Sequence, residues 1–156
     1  MKTIQKDGYV FLTDIDANRE YYRQNSLCDC SACRNFYAQI SGKYPELEAF
    51  LLEFGVDIAR PDELIWMERE EKIEYIGMYT VDGKVLSSNA EEIRIGVQQI
   101  VADQTVNFPH ERELPCFGLT VYSFSLPWVL SEPFPGSEQK KGVFCKIVEG
   151  FKKKRS

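Results

Sequence analysis

The hydrophobic residues of this chain follow two different periods, and the change between them restricts the fold more than any other feature. In the first third of the chain they recur at helical spacing, as Leu47, Phe50 and Leu51 do. From Ile73 to Val81 they follow the alternation of a β-strand. Helical and strand segments are therefore separated along the chain. This order predicts an α+β fold, with N-terminal helices packed on a mainly antiparallel β-sheet.

Helical segments are predicted at residues 17–23 and 32–40, and from Pro45 to just before Gly55. Pro45 suits the first helical position, and Gly55 suits the position after the helix ends. Ser31 or Asp29 can cap the second helix, because both side chains accept hydrogen bonds from backbone N–H groups. Residues 61–66 fit one more short helical turn.

Strands are predicted over most of the remaining chain. Residues 8–15 fit a strand or a docked arm, and residues 73–81 fit a strand that ends at a hairpin turn, Asp82-Gly83. Residues 84–86 would then begin the return strand. Residues 91–101 fit a strand or a helix, and their β-branched residues favour the strand. Residues 119–126 fit a central strand, and residues 143–148 fit the last one.

Size and charge limit the classes of function. A chain of 156 residues fits one domain, 1–156, with a helical part at about 17–66 and a strand-rich part at about 72–150. The net charge of −5 argues against nucleic acid as a partner, since phosphate binding needs basic surface. No apolar leader and no apolar stretch of roughly 18 residues is visible, so we expect a cytoplasmic protein that does not enter a membrane.

Three of the five cysteines, Cys28, Cys30 and Cys33, fall within six positions. A secreted disulfide framework spreads an even number of cysteines along the chain, so we expect thiols or metal ligands here and no structural bridges. The overlap of C-x-C with C-x-x-C offers three thiolates to a metal ion such as zinc, which usually takes four ligands. The fourth ligand would come from a distant residue: Cys116, Cys145 or His110.

Two other interpretations of the cluster stay open. Cys30 and Cys33 form a C-x-x-C pair at a helix N-terminus, where the helix dipole lowers a thiol pKa and favours redox chemistry. The strand that precedes such a pair in thioredoxin-like proteins is not visible. The sequence favours structural thiols, because Cys33 shares an apolar helix face with Phe36 and Ile40. Cys28 and Cys30 are then the exposed thiols.

The remaining candidates are an aromatic segment and a single histidine. Trp128 and Phe134 lie among prolines just after the predicted central strand, where rigid aromatic side chains can form a partner-binding surface or close the end of the core. His110 lies in a turn-like stretch, and no nucleophile is identified beside it. The sequence contains no common nucleotide-binding or hydrolase motif, so enzymatic activity is not indicated and no catalytic residue is assigned.

Three segments together resemble a small family of Gram-positive bacterial proteins for which no activity is established. The first is C-x-C-x-x-C-x-N-[FY]-Y, here Cys28 to Tyr37, the second is P-E-L-x-x-F-L from Pro45, and the third is L-P-W-V from Leu126. The resemblance implies a bacterial cytosolic origin and no particular chemistry.

Two functions from different classes follow. The first, which the sequence favours, is a non-enzymatic protein-binding module, comparable at the level of fold class with bacterial immunity proteins and directed at a basic partner. The second is a zinc-binding or thiol-redox protein that uses Cys28, Cys30 and Cys33. Neither predicts the oligomeric state.

Overall fold

The computed structural model describes residues 1–113 and 115–135, which form three helices and seven strands. The α+β prediction is confirmed, with all strand pairs antiparallel. In chain order the elements are β1 (Lys2–Lys6), β2 (Tyr9–Thr13), α1 (Ile15–Gln24), α2 (Ser31–Gln39), α3 (Pro45–Glu53), β3 (Glu63–Arg69), β4 (Lys72–Ser88), β5 (Ile93–Ile95), β6 (Gln98–Asp103) and β7 (Cys116–Pro127).

The sheet is organised around β4, a strand of 17 residues. The strands follow the order β1-β2-β4-β7-β6-β5, and β3 also pairs with β4. The first half of β4 pairs with β3 and the second half with β2, while β7 pairs along the opposite edge. β4 therefore sets the pairing register of three other strands. The predicted central strand, β7, lies between β4 and β6.

The hairpin predicted at Asp82-Gly83 is wrong, because β4 passes through both residues without turning. Residues 84–86 continue β4 and pair with β2. Gly83 has φ +124°, and a Cβ built on it would lie 1.9 Å from the Leu12 carbonyl oxygen. The glycine is needed for the close approach of β2 and not for a turn.

Of the predictions near the ends of the helical third, one is wrong and one is confirmed. Residues 61–66 are not a helical turn, because β3 begins at Glu63 and pairs with β4. The strand interpretation of residues 8–15 is confirmed by β2, and β1, which the sequence did not predict, pairs with it in a hairpin. The strand interpretation of residues 91–101 is confirmed, but Gly96 and Val97 divide the segment into β5 and β6. The strand predicted at residues 143–148 lies outside the described residues.

The three helices begin at different kinds of cap. Asp14 caps α1 by accepting a hydrogen bond from the Ala17 N–H at 3.1 Å. Neither Asp29 nor Ser31 caps α2, because Cys30 holds the N-cap position and its sulfur accepts from the Cys33 N–H. As predicted, α3 begins with Pro45, and Gly55 follows its C-cap with φ +81°.

The core between the helices and the sheet is mainly aromatic. Phe36 of α2 contacts Tyr75 and Phe124 of the sheet, with ring centroids 5.2 and 5.3 Å apart. Phe54, just after α3, contacts Phe11 and lies 6.3 Å from Phe117. These edge and tilted contacts bury large apolar surfaces in defined geometry and fix α2 and α3 on the sheet. Among the described residues, no helix has both the length and the apolar character that crossing a lipid bilayer demands.

Candidate metal centre

The loop from residue 25 to residue 30, between α1 and α2, is fixed at its first residue. The buried Asn25 side chain donates to the Arg60 carbonyl oxygen at 2.9 Å and accepts from Arg60 Nε at 2.9 Å. The next residue, Ser26, donates its N–H to the Glu111 carboxylate at 2.9 Å. The loop therefore starts from a position set by the residues before β3 and before β7.

The loop and the first turn of α2 bring three sulfur atoms together. The Sγ atoms of Cys28, Cys30 and Cys33 all lie within 4.8 Å of one another. In a tetrahedral site with Zn–S bonds of about 2.3 Å, two sulfurs are about 3.8 Å apart. A contraction of at most about 1 Å per pair, within reach of small side-chain rotations, would place all three around one ion. The spacing in sequence thus corresponds to a cluster in space.

Backbone hydrogen bonds to sulfur run through the cluster. The Cys30 N–H donates to Cys28 Sγ at 3.4 Å, and the Cys33 N–H donates to Cys30 Sγ at 3.5 Å. The second bond lies at the α2 N-terminus, where the helix dipole favours negative charge. With Cys28 reduced, both arrangements would stabilise thiolates, the form of cysteine that binds metals.

Two side chains of α2 add to this environment. The Tyr37 hydroxyl is hydrogen-bonded to Cys33, and burial, together with the charges of Cys33 and Cys30, raises the pKa of Tyr37 far above its ordinary value. The phenol therefore stays protonated and can donate to the sulfur. Arg34 donates from Nε to the Asp29 carbonyl oxygen at 3.0 Å, and its positive charge interacts with Cys30.

Burial differs among the three cysteines. Cys33 is fully buried on the same side of α2 as Phe36 and Ile40, as its helical phase predicted. Cys30 is partly exposed. The expectation that Cys28 is exposed is wrong, since its exposed fraction is 3%. A bound ion would therefore be covered largely by protein.

The three cysteines of the cluster differ in oxidation state. Cys28 is disulfide-bonded, whereas Cys30 and Cys33 keep their thiols. The expectation that no cysteine forms a structural bridge is therefore wrong for Cys28. A disulfide sulfur offers no thiolate, so a metal site with three sulfur ligands requires Cys28 in its reduced form. Disulfide formation and metal binding are alternative uses of the same atom.

Of the residues predicted as a fourth ligand, the two that the structure describes, Cys116 and His110, do not belong to the group of three sulfur atoms. Cys116 lies at the start of β7, opposite Asp82 of β4, and burial raises the pKa of its thiol. His110 accepts the Arg112 N–H on Nδ1 at 3.1 Å, and its ring lies 6.3 Å from that of Phe108. Cys145 lies outside the described residues.

The segment of residues 128–135, here called the aromatic loop, contains the predicted partner-binding residues. The Trp128 and Phe134 rings contact each other edge to face, with centroids 5.6 Å apart. Trp128 Nε1 donates to the Glu132 carbonyl oxygen at 2.8 Å. Both rings are partly buried against the core. The loop is therefore folded onto the protein, with its polar indole group already paired.

A second polar cluster, which sequence reasoning missed, surrounds Asp62. This fully buried carboxylate accepts from both tyrosine hydroxyls of α1, Tyr21 and Tyr22, and from the Thr80 N–H and hydroxyl at 2.8 and 2.7 Å. The Arg112 guanidinium lies 4.0 Å from the Tyr21 ring centroid and donates to Thr80 Oγ1. Burial, followed by the charge of Asp62, raises the pKa of both tyrosines. The cluster joins α1, β4 and the segment before β7.

Comparison with known proteins adds no relative, since no family model, curated protein or solved structure matches this chain. The proposed function therefore rests on the geometry of the cysteine cluster.

Proposed function

We propose that this protein binds a thiophilic metal ion, in the first instance zinc, at Cys28, Cys30 and Cys33, and that the ion has a structural role. The observation that carries the proposal is the approach of three Sγ atoms to within 4.8 Å of one another. Two backbone N–H···S bonds and the hydrogen bond between Tyr37 and Cys33 support it, because each stabilises negative charge on sulfur.

Zinc is the best match for a ligand set of three thiolates. Thiolates select soft or borderline metals, and zinc accepts tetrahedral sulfur coordination without redox chemistry. Cys145 is the remaining sequence candidate for the fourth ligand, and a water molecule would serve otherwise. A structural role is favoured because Cys28 and Cys33 are buried and because His110, the single histidine, is not part of the group.

The protein-binding function has less support. Trp128 and Phe134 pack against each other and against the core, so they do not offer the open aromatic surface that a rigid binding site needs. A redox pair formed by Cys30 and Cys33 differs from a metal site in one testable respect. Zinc bound to these thiolates would slow their alkylation, whereas a low-pKa redox thiol is alkylated rapidly.

Metal analysis of untagged protein, purified under reducing conditions, tests the proposal. We expect about one zinc per chain in the wild type and loss of zinc in Cys30→Ser, whose side chain is only partly buried and is thus tolerant of the change. Cys116→Ser is the matched control and should keep its zinc. Cys145→Ser asks whether that residue is the fourth ligand. Wild-type protein without metal, or Cys30→Ser with undiminished metal, would contradict the proposal.

A further inference from the structure

The aromatic loop is held by the same helical turn that carries the metal-ligand candidates. Arg34, next to Cys33, forms a bidentate ion pair with the Glu132 carboxylate, in which Nη2 and Oε2 are 2.8 Å apart. Two parallel hydrogen bonds therefore join the guanidinium to the carboxylate. A bidentate pair also defines the orientation of the guanidinium plane.

Asn35 makes a second connection one residue further along α2. Its side-chain nitrogen donates to the Pro127 carbonyl oxygen at 3.0 Å, and its side-chain oxygen accepts from the Val129 N–H at 2.8 Å. The same nitrogen contacts the Tyr75 hydroxyl at 3.1 Å, and Asn35 is fully buried. The backbone on both sides of Trp128 is therefore attached to α2.

The cysteines lie at the start of α2. The helix has nine residues, a length that is marginal without outside support, and its first turn is capped by the Cys30 sulfur. Ala32 and Cys33 of the first turn are buried as fully as Phe36 and Ile40, and the Tyr75 hydroxyl donates to the Ala32 carbonyl oxygen at 2.6 Å. An ion bound by Cys28, Cys30 and Cys33 would add a further constraint to this turn, which also carries Arg34.

We infer that a metal ion bound by the cysteine cluster orders the aromatic loop, because Arg34 and Asn35 transmit the position of the first turn of α2 to Glu132 and to the backbone around Trp128. This coupling rests on the proposed metal-binding function. Coupling between two sites is reciprocal. If bound metal stabilises the ordered loop by a given factor, a disordered loop must lower the metal affinity by that same factor.

The reciprocal arm of the test uses Glu132→Gln, measured as zinc affinity by competition with a chromophoric chelator. Loss of the ion pair should weaken zinc binding about two- to fivefold, the range that a partly exposed ion pair allows. A purely electrostatic effect has the opposite sign, because removing a negative charge near an anionic thiolate cluster strengthens thiolate formation. Glu53→Gln, on the exposed end of α3, is the matched control and should leave the affinity unchanged.

The direct arm compares hydrogen exchange of the full chain with and without zinc, under reducing conditions. We expect the Val129 amide and its neighbours in the aromatic loop to exchange faster after zinc removal, while the amides of β4 and β7 stay protected. Equal loop exchange in the two states, or unchanged or tighter zinc binding in Glu132→Gln, would overturn the coupling and leave metal binding intact. Wild-type protein that binds no zinc would overturn both.

Discussion

Replacement of Asp62 by alanine tests the second polar cluster and its role in the fold. The carboxylate accepts four hydrogen bonds in a fully buried site, from Tyr21, Tyr22 and twice from Thr80. The Tyr22 hydroxyl can turn fully to the Thr80 carbonyl oxygen, which already lies 2.8 Å away. The N–H and hydroxyl of Thr80 and the half-buried Tyr21 hydroxyl lose their acceptor, and each buried donor left unsatisfied costs about 1–3 kcal/mol.

The change also disturbs Arg112, which donates to the Thr80 hydroxyl oxygen at 3.2 Å. We therefore expect Asp62→Ala to lower the free energy of unfolding by about 3–5 kcal/mol, the range for removal of one partner from a buried charged cluster. At 2–4 °C per kcal/mol for a domain of this size, Tm should fall by roughly 10 °C. Asp62→Asn keeps one acceptor oxygen and should lose less.

Urea denaturation followed by circular dichroism measures the change, with Asp103→Ala as the control. Asp103 is exposed at the end of β6 and should change stability by less than about 0.5 kcal/mol. A double-mutant cycle with Tyr22→Phe should show coupling, because the two side chains share a hydrogen bond. A loss below about 1 kcal/mol in Asp62→Ala would refute the reasoning, since the unsatisfied donors would then have found other partners.

Two further predictions concern the sheet and the buried tyrosines. In thermal unfolding, Gly83→Ala should destabilise the protein far more than Gly42→Ala. Both glycines have positive φ, but only at Gly83 does the Leu12 carbonyl oxygen occupy the space that a Cβ would need. Similar losses of stability in the two variants would contradict the close approach of β2. Burial raises the pKa of Tyr22 and Tyr79 well above the ordinary value. The unfolded chain then releases protons at about pH 10 while the folded chain does not, so stability is unaffected below that pH and falls above it by up to about 1.4 kcal/mol per pH unit for each tyrosine. Tyrosinate absorbance should show these two residues ionising only as the protein unfolds, and their ionisation near pH 10 in the folded state would be the contrary result.

The fold class was predictable because hydrophobic periodicity depends on local burial. The stripe of Leu47, Phe50 and Leu51 and the alternation from Ile73 both correspond to the observed elements. The error at Asp82-Gly83 arose because the same dipeptide serves a turn or a close backbone approach. Only the position of β2, which is distant in sequence, decides between them.

The candidate site was predictable in part for a similar reason. The spacing of Cys28, Cys30 and Cys33 is local, so their proximity follows from one loop and one helical turn. The cap made by Cys30 was missed because a sulfur acceptor is rare at helix N-termini, where oxygen side chains predominate. The pairing of Arg34 with Glu132 spans 98 positions, and no local pattern indicates it.

The side chains around Asp62 were missed because each looks ordinary in sequence. Asp62 follows Pro61 in a segment that fits a helical turn, and Tyr21 and Tyr22 fit a helix surface. Their partners on β4 and near Arg112 come together only when the sheet forms. A polar residue next to a strand is commonly exposed, so its burial is a tertiary property that propensity does not carry.

X-ray absorption at the zinc edge of the reduced, zinc-loaded protein tests the central claim most directly. Metal binding by the cluster predicts a first coordination shell with at least three sulfur atoms at about 2.3 Å, unchanged in Cys116→Ser. A shell made only of oxygen or nitrogen at about 2.0–2.1 Å, or one with fewer than three sulfurs, would contradict metal binding by Cys28, Cys30 and Cys33.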